Sequence, residues 1–133
     1  MADSDNRIRA KYEAFRLSEL GRHGEARAQF IELLAHDPED SGLWQMLGFT
    51  LVCLRDFTGA ERAYKNALQL RGDDARSLAG LGDCYSRAGS HRRAKDVMDQ
   101  ARALEPLDSW VLGRDIAVDF RRSRRLTKNR DQS

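Results

Sequence analysis

LWQMLGFTLVCLRDFTGAERAYKNALQL (residues 43–70) and SLAGLGDCYSRAGSHRRAKDVMDQARAL (residues 77–104) are one pattern written twice at an offset of 34. Leu47 and Gly48 map onto Leu81 and Gly82, Ala60 onto Ala94, and Ala67 onto Ala101. A step of 34 back from Leu51, Ala60, Tyr64 and Leu68 reaches Leu17, Ala26, Phe30 and Leu34. Pro38 and Pro106 lie two periods apart and each close a unit. Self-similarity at such a period means small structural units that bury their apolar faces by stacking on one another. Within a unit, Trp44, Leu47, Gly48 and Leu51 fall at i, i+3, i+4 and i+7, on one helical face.

That spacing predicts helices near 7–20, 23–36, 41–54, 57–70, 75–88 and 91–104. Asp40 and Ser41, and again Asp73 and Asp74, suit the N-caps of the helices that open the second and third units. Gly21 and Gly89 suit the turns between paired helices, where a positive φ is often required. Gly48, Ala60 and Ala94 are small where two helices must approach closely, and Gly48 is expected to face Ala60.

The rest of the 133-residue chain agrees with a single core-bearing domain. Hydrophobic residues make up 41%, enough for a core, while 2 Pro and 10 Gly are too few for a disordered or collagen-like chain. No apolar run is long enough to span a membrane, and the polar start MADSDNRIRA is followed by no apolar stretch typical of a secretory signal. Cys53 and Cys84 lack partners at metal-site spacing and cannot form a disulfide framework, so a reducing, cytoplasmic setting is expected.

The repeat resembles the tetratricopeptide repeat (TPR), whose pattern sets Trp, Leu-Gly and Tyr in a first helix and Ala, an aromatic, Ala and Pro in a second. The second unit supplies Trp44, Leu47, Gly48, Leu51, Ala60, Tyr64 and Ala67, with Gly72 where Pro is usual. The third supplies Leu78, Leu81, Gly82, Tyr85, Gly89, Ala94, Ala101 and Pro106, with Met98 at the aromatic position. The first keeps Leu17, Gly21, Ala26, Phe30 and Pro38 but has Glu13 and Ala14 in place of Leu-Gly. The resemblance implies an all-α, right-handed α-solenoid of three TPR helix pairs at about 7–40, 41–74 and 75–108. A C-terminal capping helix at about 109–120 is expected to use Trp110, Val111, Ile116 and Phe120 to cover the last repeat. Residues 121–133 then read as a basic, frayed or disordered tail.

Catalytic chemistry finds little footing. His23 and His91 recur because the repeat recurs, and no His stands at i, i+4 from another, so no metal site is expected. No phosphate loop, nucleophile elbow or dinucleotide fingerprint is present, so neither cofactor nor enzyme activity is expected.

The resemblance instead implies binding on the surface lined by the first helices. Counted from the start of each unit, the lining positions yield a peptide-binding set of Ile8, Lys11, Tyr12, Phe15, Gln45, Met46, Phe49, Arg76, Asp83 and Arg87. The carboxylate clamp that grips heat-shock C-terminal tails would place its residues at Lys11, Phe15, Met46, Arg76 and Gly80. Both Asn and the last Arg of that clamp are missing, so a heat-shock tail does not fit. The replacements are apolar, which implies a protein or peptide ligand with apolar anchors and acidic residues near Arg76 and Arg87. Three repeats with an apolar groove are also similar in architecture to chaperones of type III secretion translocators.

The alternative lies in the tail. Arg121, Arg122, Arg124, Arg125, Lys128 and Arg130 stand against Asp131 alone, while the rest of the chain is net acidic. Such a cluster can bind nucleic acid or another anionic surface, although no aromatic beyond Phe120 is available to stack on bases.

Overall fold

The computed structural model describes residues 2–131, with side chains described for 5–129. The described residues form seven helices and no strand: α1 (Ala2–Glu19), α2 (His23–His36), α3 (Ser41–Cys53), α4 (Phe57–Leu70), α5 (Ala75–Arg87), α6 (His91–Leu104) and α7 (Ser109–Asp131). They divide into two compact units, residues 2–72 and 73–131.

Helix starts follow the acidic residues. Asp40 accepts the Leu43 N–H at 3.2 Å, Asp56 that of Gly59 at 3.0 Å and Asp74 that of Ser77 at 3.3 Å. Each carboxylate satisfies a backbone donor that the first turn would otherwise leave unpaired. Of Asp73 and Asp74, the second is the cap. Helix ends repeat as faithfully. After α1, α3 and α5 the chain closes with Arg22 N–H to Leu17, Asp56 N–H to Leu51 and Ser90 N–H to Tyr85, each at 2.8–2.9 Å. This closure needs a left-handed residue just past the helix, and Gly21 (φ +79°) and Gly89 (φ +84°) supply it. At the equivalent place after α3 stands Arg55, with φ 63°.

In the first unit, Ala14, Leu17, Ala26 and Phe30 are buried where α1 and α2 pair. Leu43, Leu47 and Leu51 of α3 and Ala60, Tyr64 and Ala67 of α4 are buried in the second pair. The atoms nearest Gly48 are those of the Tyr64 ring: a Cβ there would lie 2.9 Å from that ring, so the missing side chain makes room for it. Ser18 and Thr50, both buried, place their hydroxyl oxygens 3.5 Å apart and link α1 to α3.

In the second unit, α5 and α6 pair in the same way, with Gly82 against Met98. Helix α7 then packs along α5 and α6. Its buried residues are Val111 and Val118, at i and i+7, whereas Ile116 and Phe120 are 69% and 61% exposed. The expected covering role of Ile116 and Phe120 is therefore corrected: the seven-residue spacing of the two valines sets the packed face, and Ile116 and Phe120 project from the other side. Helix α7 also runs on to Asp131, through residues that composition assigns to a frayed tail. Arg121 and Arg125 bind Ser86 Oγ and the Gly89 carbonyl at 3.2 Å and 3.0 Å, tying this extension to α5.

Candidate functional site

Helix α1 presents Ile8, Lys11, Tyr12 and Phe15 on one face, spaced by three or four residues. Met46 of α3 completes a cleft of about 290 Å³ lined by these five side chains. Tyr12 is 71% exposed, Ile8 53% and Phe15 45%, so helix packing does not consume them. Gln45, next to Met46 in α3, and Phe49, one turn further on, are half-buried.

One ion pair fixes the cleft's geometry. Lys11 Nζ lies 2.6 Å from Asp40 Oδ2, and the other oxygen of that carboxylate caps α3. The pair thus ties the helix bearing Tyr12 and Phe15 to the start of the helix bearing Met46. Lys11 reads from sequence as a ligand contact, and Asp40 as a cap alone. Their contact joins residues 29 apart, which neither reading anticipates. A larger depression of about 540 Å³ on the α1–α2 pair is lined by Arg7, Glu13, Glu32 and His36 together with Ala10 and the buried Leu33, and no aromatic side chain lines it.

The second unit treats its sequence-predicted residues differently. Asp83 is buried, with Arg121 of α7 at 2.7 Å and Arg87 at 3.3 Å. Two guanidiniums compensate a carboxylate that would otherwise be costly to bury. Ala79, Gly80 and Ser86 on the same helix are also buried. Arg76 pairs with Asp108 at 3.1 Å. Asp108 accepts N–H groups from Trp110 at 2.9 Å and Val111 at 3.1 Å, and so caps α7. The Val111 N–H, with help from Arg76, holds the Asp108 carboxyl below its ordinary value. Arg76, Asp83 and Arg87 therefore lie at the seam between α5 and α7, while Ile8, Lys11, Tyr12, Phe15 and Met46 converge on an open cleft. Arg121 and Asp108 had no signal in the helical period, because their partners come from a different helix.

Among the described residues, no group of three or more His, Cys, Asp or Glu is placed to hold a metal ion. No described helix is long and apolar enough to cross a membrane.

Helix pairs at a period of 34, closed by the same turns and packed through Gly48 and Gly82, have the form of tetratricopeptide repeats. The tetratricopeptide repeat family matches residues 54–111, and the chain has a tetratricopeptide-repeat fold. It is 31% identical over 94 residues to the cellulose synthase 1 operon protein C of Komagataeibacter xylinus, covering 67% of this chain and 7% of that protein. It is also 31% identical over 106 residues to the formate-dependent nitrite reductase complex subunit NrfG of Escherichia coli O157:H7, covering 74% of this chain and 54% of that one. The chain thus spans about half or much less of the length of these relatives. Among solved structures, the type III secretion translocator chaperone SycD of Yersinia enterocolitica shares the fold with a TM-score of 0.81 at 17% identity, over 92% of this chain and 87% of that one. A complex of SycD with a peptide of the translocator YopD gives 0.79 at 18% identity, over 93% and 95% of the chains. The first TPR of Spaghetti bound to an HSP90 peptide gives 0.78 at 17% identity, over 87% and 92%.

Proposed function

We propose that this chain is a non-catalytic protein-interaction module or small chaperone that holds an extended segment or helix of a partner protein. The contact surface is the apolar cleft of Ile8, Tyr12, Phe15 and Met46, with Gln45 and Phe49 extending it along α3. The observation that carries this reading is the convergence of four large apolar side chains, three of them about half or more exposed, on one cleft held by the Lys11–Asp40 pair. Exposed apolar side chains that cluster, rather than scatter, mark contact sites. Aromatic and Met side chains are also the types enriched in such contacts. Peptide complexes of fold relatives support the class of ligand.

Arg76, Asp83 and Arg87 belong to this reading only at its edge, since their charges are engaged within the second unit. The tail alternative is weakened in the same way, because Arg121 and Arg125 are committed to α5.

The test is a peptide-display selection against the full chain, followed by titration of the selected peptides. Tyr12→Ala with Phe15→Ala should weaken them by roughly tenfold or more, since a few aromatic anchors commonly dominate an interface. The melting temperature should change little, because the Tyr12 ring is largely exposed and the Phe15 ring nearly half exposed. Unchanged binding by the double variant would overturn the cleft reading.

A further inference from the structure

Helix α7 carries a second apolar surface that the cleft reading does not use. The 34-residue register places Ile116 at the position of Gly82 in α5, and Leu112 at that of Leu78. In α5 the Gly82 position is where α6 packs, against Met98 and Val97. Two periods back, Gly48 is where α4 packs. On α7 the corresponding face meets no second helix among the described residues. Leu112, Ile116 and Phe120 are 38%, 69% and 61% exposed on it, one turn apart. Beside them, a Cβ at Gly113 would meet nothing within 4 Å, leaving room for a close helix approach. Among the described residues, this helix-receiving face carries no helix.

We propose that it is covered by α7 of a second copy of this chain, lying antiparallel about a two-fold axis at Ile116. The stripe is complementary to itself in that direction. Leu112 and Phe120 stand four residues on either side of Ile116, so each Phe120 falls on the partner copy's Leu112 while the two Ile116 side chains meet on the axis. Charge selects the same direction. Arg122, Arg124 and Lys128 follow the stripe, whereas Glu105 and Asp108 precede it. Antiparallel pairing brings Arg124 of one copy level with Asp108, at the N-cap of α7, in the other. Parallel pairing would set the two cationic ends side by side, where like charges repel. An acidic helix from another protein would satisfy the cations, but it has no reason to match the symmetry of the stripe.

The full chain is tested by sedimentation velocity from about 1 to 100 µM, a range that brackets ordinary dimer affinities. A monomer–dimer equilibrium is expected. Ile116→Asp and, separately, Phe120→Asp should weaken it by roughly tenfold or more with helicity retained, because both side chains are exposed in the single chain. A cross-linking arm does not depend on destabilisation. In a Cys53→Ser background, Ile116→Cys should form a disulfide-linked dimer on mild oxidation. Lys128→Cys should not, since helix rise puts the two copies' positions about 36 Å apart. A monomer throughout the range, a dimer indifferent to both Asp substitutions, or cross-linking through position 128 would each overturn the proposal.

Discussion

Arg55 holds the left-handed turn that Gly21 and Gly89 hold in the flanking repeats. For a residue with a Cβ, that conformation costs roughly 1 kcal/mol or more. Arg55→Gly should therefore raise the melting temperature by a few degrees, and Gly21→Ala should lower it, as thermal unfolding followed by circular dichroism would show. The two helix-crossing glycines should also differ. A Cβ at Gly48 would press on a fully buried Tyr64 ring at 2.9 Å, whereas at Gly82 the nearest atom is the Met98 sulfur at 2.7 Å. A ring has few ways to yield and a Met side chain has many. Gly48→Ala should thus cost on the order of 1 kcal/mol net, while Gly82→Ala should be close to neutral once the gain in helix propensity is counted. Equal effects in denaturant melts would contradict the packing described. The left-handed glycines were legible from the repeat alone. Arg55 was not recognised, because a sequence reading looks for Gly and meets a residue that tolerates the turn at a cost.

At the scale of helices, α7 depends on Asp108 and Arg121. Asp108→Ala removes the cap of α7 and should cost about 1 kcal/mol. It should also change the acid response. The Asp108 carboxyl is held below its ordinary value in the folded chain, so the unfolded chain binds the proton first as pH falls. The stability it contributes is complete above the ordinary carboxylate value and is lost as pH drops through the lower folded value. Acid unfolding of the Asp108→Ala variant should show less of that loss below about pH 4 than the parent. Truncation after Phe120 removes Arg121 and leaves Asp83, buried, with Arg87 alone at 3.3 Å. Breaking a buried pair costs roughly 3 kcal/mol when no compensation remains, and somewhat less here because Arg87 stays. The truncated chain should melt measurably lower than the parent; an unchanged melting curve would mean the contact contributes nothing. The helix itself was legible, since Trp110, Val111 and their neighbours carry an apolar pattern after Pro106. Its orientation was not. Several faces of α7 contain apolar residues, and only the docked arrangement shows that Val111 and Val118 turn inward while Ile116 and Phe120 turn out.

Across the whole molecule, repeat architecture makes stability a sum of local terms, because each pair of helices contacts chiefly its neighbours. Gly48→Leu, which overpacks the α3–α4 crossing, should lower hydrogen-exchange protection most within residues 2–72, the compact unit that contains it. Uniform loss across both units would argue for a single cooperative block. The sequence by itself determined the helices, their pairing and the repeat fold, because a 34-residue period repeats caps, turns and apolar faces that act within one or two turns of chain. It also pointed to Ile8, Lys11, Tyr12, Phe15 and Met46, since helical spacing puts them on lining positions. Tertiary structure alone decided that these five share a cleft while Arg76 and Asp83 are drawn into ion pairs with Asp108 and Arg121. The physical reason is range: a helix face follows from neighbours three and four residues away, but the partner of a charge 29 to 38 residues distant depends on how whole helices dock.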